Sequence, residues 1–274
     1  MSEECCRHRG RASISLGPRL AKVAAFVPFG ASLGDIGTDH AHLPVSLYER
    51  GQISRAVAVD VHHGPYLSAL STVRERGLEE AIAVRLGNGL EPIAPGEVDT
   101  LTIAGMGGST MLEILDGRPD VLRTVTTIVV QPQGAEARVR KHLLAAGWFL
   151  AAEELVAEDG RIYAVIVFST SEGLDLAGVD AAAHRLWERL GCAGVLQGGE
   201  EANPDPHPIW RYGPLILARP TELLRTLLGE DIRLLERRAQ GLRRARDPEV
   251  RSKRDQIFHQ IGLLKSLEEM LFCP

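Results

Sequence analysis

Two kinds of apolar pattern alternate along the chain. Short continuous apolar runs, closed by aspartate or glycine, predict strands at 31–36, 55–61, 82–86, 99–104 and 126–131. Between and around them, apolar residues recur every three or four positions. Leu20, Val23, Ala24 and Val27 predict a helix over 18–29 that ends at Pro28 and Gly30. Further helices are expected at 39–50, 65–77, 109–115 and 135–147. Two last strands, 149–157 and 163–169, are joined by E-D-G-R, a hairpin turn signal. Beyond 173 the alternation stops. A short helix over 181–190 precedes G-G-E-E-A-N-P-D-P-H-P, read as linker plus insertion. From Pro220 the leucines at 223, 224, 227, 228, 234, 235 and 242 mark one amphipathic helix. Ile257, Ile261, Leu264, Leu267 and Leu271 mark a second, with Asp247–Pro248 as the turn and new helix start between them.

Strands alternating with helices make a parallel α/β sheet with right-handed crossovers. A terminal hairpin makes the last strand antiparallel. Five parallel strands, a helix and a hairpin give the order of a seven-stranded, Rossmann-like class I S-adenosylmethionine (SAM)-dependent methyltransferase. The two late helices, with one short connection, are expected to pack as a coiled-coil-like antiparallel hairpin. The expected domains are 18–170 for the methyltransferase, 171–212 for the linker and insertion, and 213–274 for the C-terminal helical hairpin.

In such sheets ligands sit beyond the C-terminal ends of the strands. The richest of these ends is the stretch A-S-L-G-D-I-G-T-D-H-A-H-L-P, 31–44. A dinucleotide site wants G-x-G-x-x-G, because a pyrophosphate must lie on bare backbone. Here Asp39 and His42 stand at the later glycine positions, and a carboxylate would repel pyrophosphate. A ligand bearing an ammonium, a sulfonium or ribose hydroxyls suits Asp35, Gly37 and Asp39 better, which points to SAM rather than NAD. Asp60 ends the second strand, 25 residues after Asp35, where an acid can accept hydrogen bonds from ribose hydroxyls; Val61 follows it. Asn88 and Gly89, in G-N-G after the third strand, are placed to meet an adenine edge. Ala104 and Gly105 close the fourth strand and complete the expected cofactor set.

The candidate catalytic residues are Asp39, His40, Met106, Gly107, Gly108 and Gln131. G-M-G-G follows the fourth strand, where many amino-methylating enzymes carry Asn/Asp-Pro-Pro-aromatic. Its glycines would leave room for a flat base and Met106 could pack on a ring face. Asp39 could hold an adenine amino group or take a proton; the plainer alternative is a helix N-cap. His40 could orient Asp39 or contact phosphate. With Gln131–Gln133, these residues would surround the base. No third group stands at metal spacing near Asp39, His40 and His42, so no metal is expected.

Composition narrows the setting. Hydrophobic residues make up 45% and charged residues 24%, and no apolar run approaches the roughly 20 residues that span a bilayer. The polar start M-S-E-E-C-C-R-H-R-G-R is not a secretory signal. Cys5, Cys6, Cys192 and Cys273 show no paired C-x-x-C spacing, which suits a reducing cytosol. A cytoplasmic protein, a monomer without membrane contact, is expected. The formal net charge is −5, yet the stretch 233–254 holds nine basic residues. Of these, Arg237, Arg238, Arg243, Arg244, Arg246, Arg251, Lys253 and Arg254 are the candidate RNA-binding set, a basic face suited to a phosphate backbone. The alternative is a solvated charged face.

Assembled, the chain resembles the tRNA (adenine-22-N1)-methyltransferases, the TrmK family. The matching stretches are R-L-A-K-V-A-A-F-V-P-F-G, D-I-G-T-D-H-A-H-L-P, D-V-H-H-G-P, V-R-L-G-N-G-L, T-I-A-G-M-G-G, V-V-Q-P-Q, E-D-G-R-I-Y and G-P-L-I-L-A. The chain departs from the family pattern at His42, where an aromatic is usual, at Gln133, where Asn is usual, and in a longer 173–208. The resemblance implies methyl transfer from SAM to N1 of an adenine in the tRNA D-arm region, and an RNA-binding C-terminal hairpin. Two other readings stay open: a SAM enzyme of the same fold acting on another RNA position or a small molecule, and a non-catalytic RNA-binding protein with a vestigial SAM site.

Overall fold

The computed structural model describes residues 14–190, 208–242 and 248–273. Cys5, Cys6, Cys192, Arg243, Arg244, Arg246, Asp247 and most of the G-G-E-E-A-N-P-D-P-H-P stretch lie outside these residues.

Seven strands form one sheet: β1 (Ala31–Ile36), β2 (Ile53–Asp60), β3 (Ile82–Leu86), β4 (Thr100–Met106), β5 (Thr127–Pro132), β6 (Phe149–Glu158) and β7 (Arg161–Ser169). Their spatial order is β3-β2-β1-β4-β5-β7-β6. The first five strands pair in parallel, and β7 joins β5 antiparallel. The chain runs outward from β1 to β3, then returns to β1's other edge as β4. This reversal beside β1 is where a doubly wound sheet opens a crevice. The central strands are buried on both faces: Leu33, Ala58, Ile103 and Val129 are fully inaccessible to solvent.

Around the first strands lie α1 (Pro18–Ala25), α2 (His42–Glu49), α3 (His63–Arg76), α4 (Gly108–Asp116) and α5 (Pro119–Leu122). Pro18 occupies the first turn of α1, where its missing N–H costs nothing. α6 (Glu136–Ala145) and α7 (Leu176–Arg189) follow; α7 begins with Asp175 accepting the Gly178 N–H at 2.7 Å, five residues before the 181–190 expected from spacing. Two short helices, α8 (Pro208–Tyr212) and α9 (Pro214–Ala218), were not expected; five residues each is too short for a periodic pattern. α10 (Glu222–Gly241) and α11 (Pro248–Phe272) are the late helix pair.

Two compact units divide the chain: Met1–Ala135 with Val165–Ser171, and Glu136–Ala164 with Glu172–Pro274. Within the second, α10 buries Leu224, Leu228, Ile232 and Ala239, and α11 buries Ile257, Ile261, Leu264 and Leu267. Lys265 Nζ reaches Glu236 at 2.7 Å, and the Arg225 guanidinium lies 5.0 Å from the Phe272 ring centre, so the helices run antiparallel.

The same unit is knit together by a buried ion pair. Arg140 on α6 and Glu153 on β6 meet at 2.5 Å, and both side chains are fully buried. Arg140 also donates to the Trp210 carbonyl at 2.8 Å and the Tyr212 carbonyl at 3.4 Å, while Glu153 accepts the Leu215 N–H at 3.1 Å. Burial pushes the Glu153 carboxyl up, opposed by the Arg140 guanidinium and the amides of Leu215 and Ile216. A Cβ at Gly213 would run into the Glu153 carboxylate, so the glycine of G-P-L-I-L-A is required sterically. Tyr212 donates to Asp231 of α10 at 2.8 Å, and Arg211 reaches the same carboxylate at 3.0 Å. α6, β6, α8, α9 and α10 are thereby fixed by two linked charge clusters. Removing one partner strands a buried charge, so Arg140→Met should lower unfolding stability by about 3–5 kcal/mol, read as a fall in urea midpoint at unchanged m-value.

Candidate functional site

The first site element is the turn after β1. Leaving the strand, the chain passes Gly37, then Asp39 with φ 52° and Ala41 with φ 55°. Two non-glycine residues in the left-handed region cost free energy and persist only where surroundings hold them. The holder is Asp60 at the end of β2. Its carboxylate accepts the Asp39 N–H at 3.1 Å and the His62 N–H at 2.9 Å. Those two bonds leave acceptor capacity on both oxygens.

Asp35 supplies the second hold. The β1–β4 register sets Asp35 opposite Thr102. Thr102 therefore donates to Asp35 Oδ1 at 2.7 Å, and Thr38 donates to Oδ2 at 2.6 Å. Asp35 is 5% exposed. Burial pushes its carboxyl above the usual carboxylate value, more strongly than the two hydroxyl bonds pull it down, and the Asp60 charge adds to the rise. Such a carboxylate favours a cationic ligand group close by.

These strand ends surround a cavity of about 610 Å³, the size of an ordinary cofactor site. All eight expected cofactor residues line it: Asp35, Gly37, Asp60, Val61, Asn88, Gly89, Ala104 and Gly105. Of the expected catalytic residues, Asp39, His40 and Met106 also line it, and Gly107, Gly108 and Gln131 do not. Met106 reaches across to Gly37: a Cβ there would collide with the Met106 methyl. Gly107 and Gly108 instead lead into α4, Gly107 as its N-cap residue.

Gln131 lies behind the cavity wall. It is fully buried and its carboxamide is already engaged. Oε1 accepts from Arg19 Nη1 at 2.9 Å and from the Gly105 N–H at 3.1 Å, and Nε2 donates to the Pro132 carbonyl at 3.0 Å. Gln133 is the glutamine on the cavity wall. Arg19 and Leu20 from α1, Thr110 and Ile114 from α4, and Thr38 and His62 also line the cavity. Arg19 and Leu20 open the R-L-A-K-V-A-A-F-V-P-F-G stretch, Thr38 lies in D-I-G-T-D-H-A-H-L-P and His62 in D-V-H-H-G-P, but nothing in the sequence assigned any of them a site role; Thr110 and Ile114 carried no signal beyond the expected helix 109–115.

Asp39 does not cap α2. The helix starts at His42 with Ala41 as N-cap residue and no side-chain cap bond. The Asp39 carboxylate is 67% exposed and stands 3.6 Å from His40 Nε2. The His40 and His42 rings stack with centres 5.3 Å apart at 21°. Burial and the neighbouring His40 lower the His42 pKa, with Asp39 opposing. The cavity therefore offers an exposed carboxylate beside an aromatic pair. Among the described residues, no group of three or more His, Cys, Asp or Glu side chains is placed to hold a metal ion.

In the late helices, Arg233, Arg237, Arg238, Arg251 and Lys253 are exposed, and half-buried Arg254 pairs with Asp255 at 3.0 Å. No helix among the described residues is long and apolar enough to cross a membrane.

Known proteins resemble this chain in sequence and in fold. Residues 16–166 match the family model described as a methyltransferase domain. Over 154 residues, 56% of the chain, the sequence is 40% identical to the tRNA (adenine(22)-N(1))-methyltransferase of Bacillus subtilis strain 168; the match spans 65% of that relative's length. The crystal structure of the B. subtilis M1A22 tRNA methyltransferase TrmK is similar at TM-score 0.75 and 28% identity, covering 93% of this chain and 99% of that one. A Streptococcus pneumoniae protein solved in complex with S-adenosyl-L-methionine is similar at TM-score 0.73 and 29% identity, covering 93% and 100%. With a family match over more than half its length, carried on a seven-stranded Rossmann-like sheet, the chain belongs to the methyltransferase-domain family.

Proposed function

We propose that this protein transfers a methyl group from SAM to N1 of adenine 22 in tRNA. The observation that carries the reading is the cavity at the strand ends, whose lining takes in all eight expected cofactor residues. Likeness to the B. subtilis enzyme supports the choice of substrate. The residues present suit the cofactor. Asp60 retains acceptor capacity for ribose hydroxyls. Asn88 offers an amide for the adenine edge. Asp35 places a buried carboxyl group on the cavity wall, where a bound ammonium or sulfonium would favour its ionised form. When bound, SAM supplies an electrophilic methyl group.

The protein's remaining task is positional. A neutral adenine has a lone pair on N1, so holding the base in line and excluding water does most of the work. The base must first leave its stack. The His40–His42 pair and Met106 offer faces against which a flat ring can rest. Asp39, exposed at the cavity, can accept a hydrogen bond from the adenine amino group or take the proton released there. The cationic face of α10 and α11 serves the tRNA backbone, with the methyltransferase domain assigned to 18–170 and the hairpin domain to 213–274.

The direct test combines calorimetry with SAM and a methylation assay on unmodified tRNA, with primer extension to map the product. A stop at position 22 is expected; methyl transfer to no tRNA would defeat the proposal. Within that assay, Asp60→Ala should weaken SAM binding by roughly 1.5–3 kcal/mol, about 10- to 150-fold. Asp39→Asn should instead lower turnover more than SAM affinity, and equal rates would leave Asp39 without a part in the reaction.

The raised Asp35 pKa sets a pH dependence. In the ligand-free protein Asp35 keeps its proton to higher pH than in the unfolded chain. Its contribution to stability is therefore full below the unfolded value and is lost as pH rises through the folded one. SAM binding has the opposite sign, because the cation needs the ionised form. On acidification, affinity should fall at a higher pH than an unshifted aspartate would give. Asp35→Asn should abolish that pH dependence, weaken SAM and raise the ligand-free stability at neutral pH, as read by calorimetry and urea titration across pH 4–7.

For tRNA, log affinity should fall with log salt at a slope of about −0.7 to −0.9 per phosphate contact. Arg237→Glu with Arg238→Glu should flatten that slope and leave SAM affinity unchanged. A slope equal to the wild type's would return tRNA recognition to the methyltransferase domain.

A further inference from the structure

α1 packs on the sheet as a core helix, with Val23 and Ala24 buried. Its first turn carries something the core does not need. Arg19, directly after Pro18, sends its guanidinium to the Gln131 side chain at 2.9 Å and contributes to the cavity wall. The reason for this contact lies in the β4–β5 ladder. Ala104 pairs with Gln131 and Met106 with Pro132, so the register slips by one residue at Gly105. Gly105 sits at φ 79°, out of line with the ladder. A bulged residue loses its ladder partner, and its N–H must find another acceptor. It finds Gln131 Oε1 at 3.1 Å.

Everything at this bulge depends on which way the Gln131 carboxamide faces. As placed, one oxygen takes two donors and the nitrogen donates to the Pro132 carbonyl. Turned over, the amide NH₂ would face both the guanidinium and the Gly105 N–H, donors against donors. A cationic donor on one side of the oxygen forbids that turn. The bulge in turn aims Met106, whose methyl closes against Gly37 on the opposite wall, and Gln133 donates its N–H to the Met106 carbonyl at 2.8 Å.

We propose that Arg19 is a positioning residue for methyl transfer: by holding the Gln131 carboxamide, it fixes the Gly105 bulge and so the placement of Met106 in the reaction cavity. The inference rests on the proposed tRNA methyltransferase function only for its kinetic consequence. Its structural content stands on the bulge alone.

The test uses the full chain with ¹⁵N-glycine, with and without SAM. In Arg19→Met the Gly105 amide should exchange with solvent about tenfold faster or more. The Gly34 amide, inside β1, should not change, and Arg19→Lys should fall between variant and wild type. In single-turnover assays with tRNA, Arg19→Met should be slower by roughly 10- to 100-fold, as expected for a misplaced reacting geometry. SAM affinity should fall by less than the rate does, and Arg19→Lys should recover part of the rate. A Gly105 amide that exchanges as in the wild type overturns the proposal, as does a full methylation rate in Arg19→Met. If Arg19→Met does not fold, Arg19→Gln replaces it with the same two outcomes. A wild-type protein that methylates no tRNA overturns the functional reading, while the Gly105 exchange still decides the positioning role.

Discussion

One carboxylate holds two strand ends together. Asp60 closes β2 and grips the backbone of the turn after β1, through the Asp39 amide, as well as the start of α3's approach at His62. Left-handed Asp39 and Ala41 are tolerable because that grip and the Thr38–Asp35–Thr102 bonds outweigh their local cost. The start of α2, the exposure of Asp39 and the histidine stack all follow from that turn. An acid that reads as a ligand contact is thus also a fixed part of the scaffold. Its second use costs nothing, since an ionised carboxylate has more acceptor sites than two amides fill.

The strand ends were legible in the sequence because buried parallel strands announce themselves as unbroken apolar runs, and the residue after such a run must sit at the sheet's carboxyl edge. That logic located Asp35, Asp60, Asn88 and Ala104 without any tertiary information. It could not say which way a side chain near a strand end faces. Gln131 and Gln133 look equivalent in V-V-Q-P-Q, yet one is buried in a hydrogen-bond network and the other lies on the cavity. Gln131 is still inside β5 and paired with Ala104, whereas Gln133 lies just past the strand's last residue, Pro132, a boundary set by pairing with β4 rather than by either glutamine.

Other features were hidden for other physical reasons. Left-handed geometry at Ala41 has no marker in the residue type, since alanine ordinarily avoids it. Nothing in the local sequence around Arg140 or Glu153 marks either for burial; their partners come from α8 and α9, far along the chain. The proline-led helices themselves are too short to leave a period. The late helix pair, by contrast, was plain, because a stripe of leucines and isoleucines at three- and four-residue spacing persists over many turns.

The Arg140–Glu153 cluster has a consequence for the birth of the protein. Arg140 finds its Trp210 carbonyl 70 residues downstream. At roughly 5–20 residues per second, a ribosome needs several seconds to deliver that partner. Until then two charges destined for a dry interior have only water and each other. The nascent second unit must therefore stay open and hydrated at this point until the segment around Trp210 has been made. A chain cut short before residue 216 would lack the last carbonyls and amides of the cluster, and would present to the cell's quality control an unfinished unit rather than a smaller finished one.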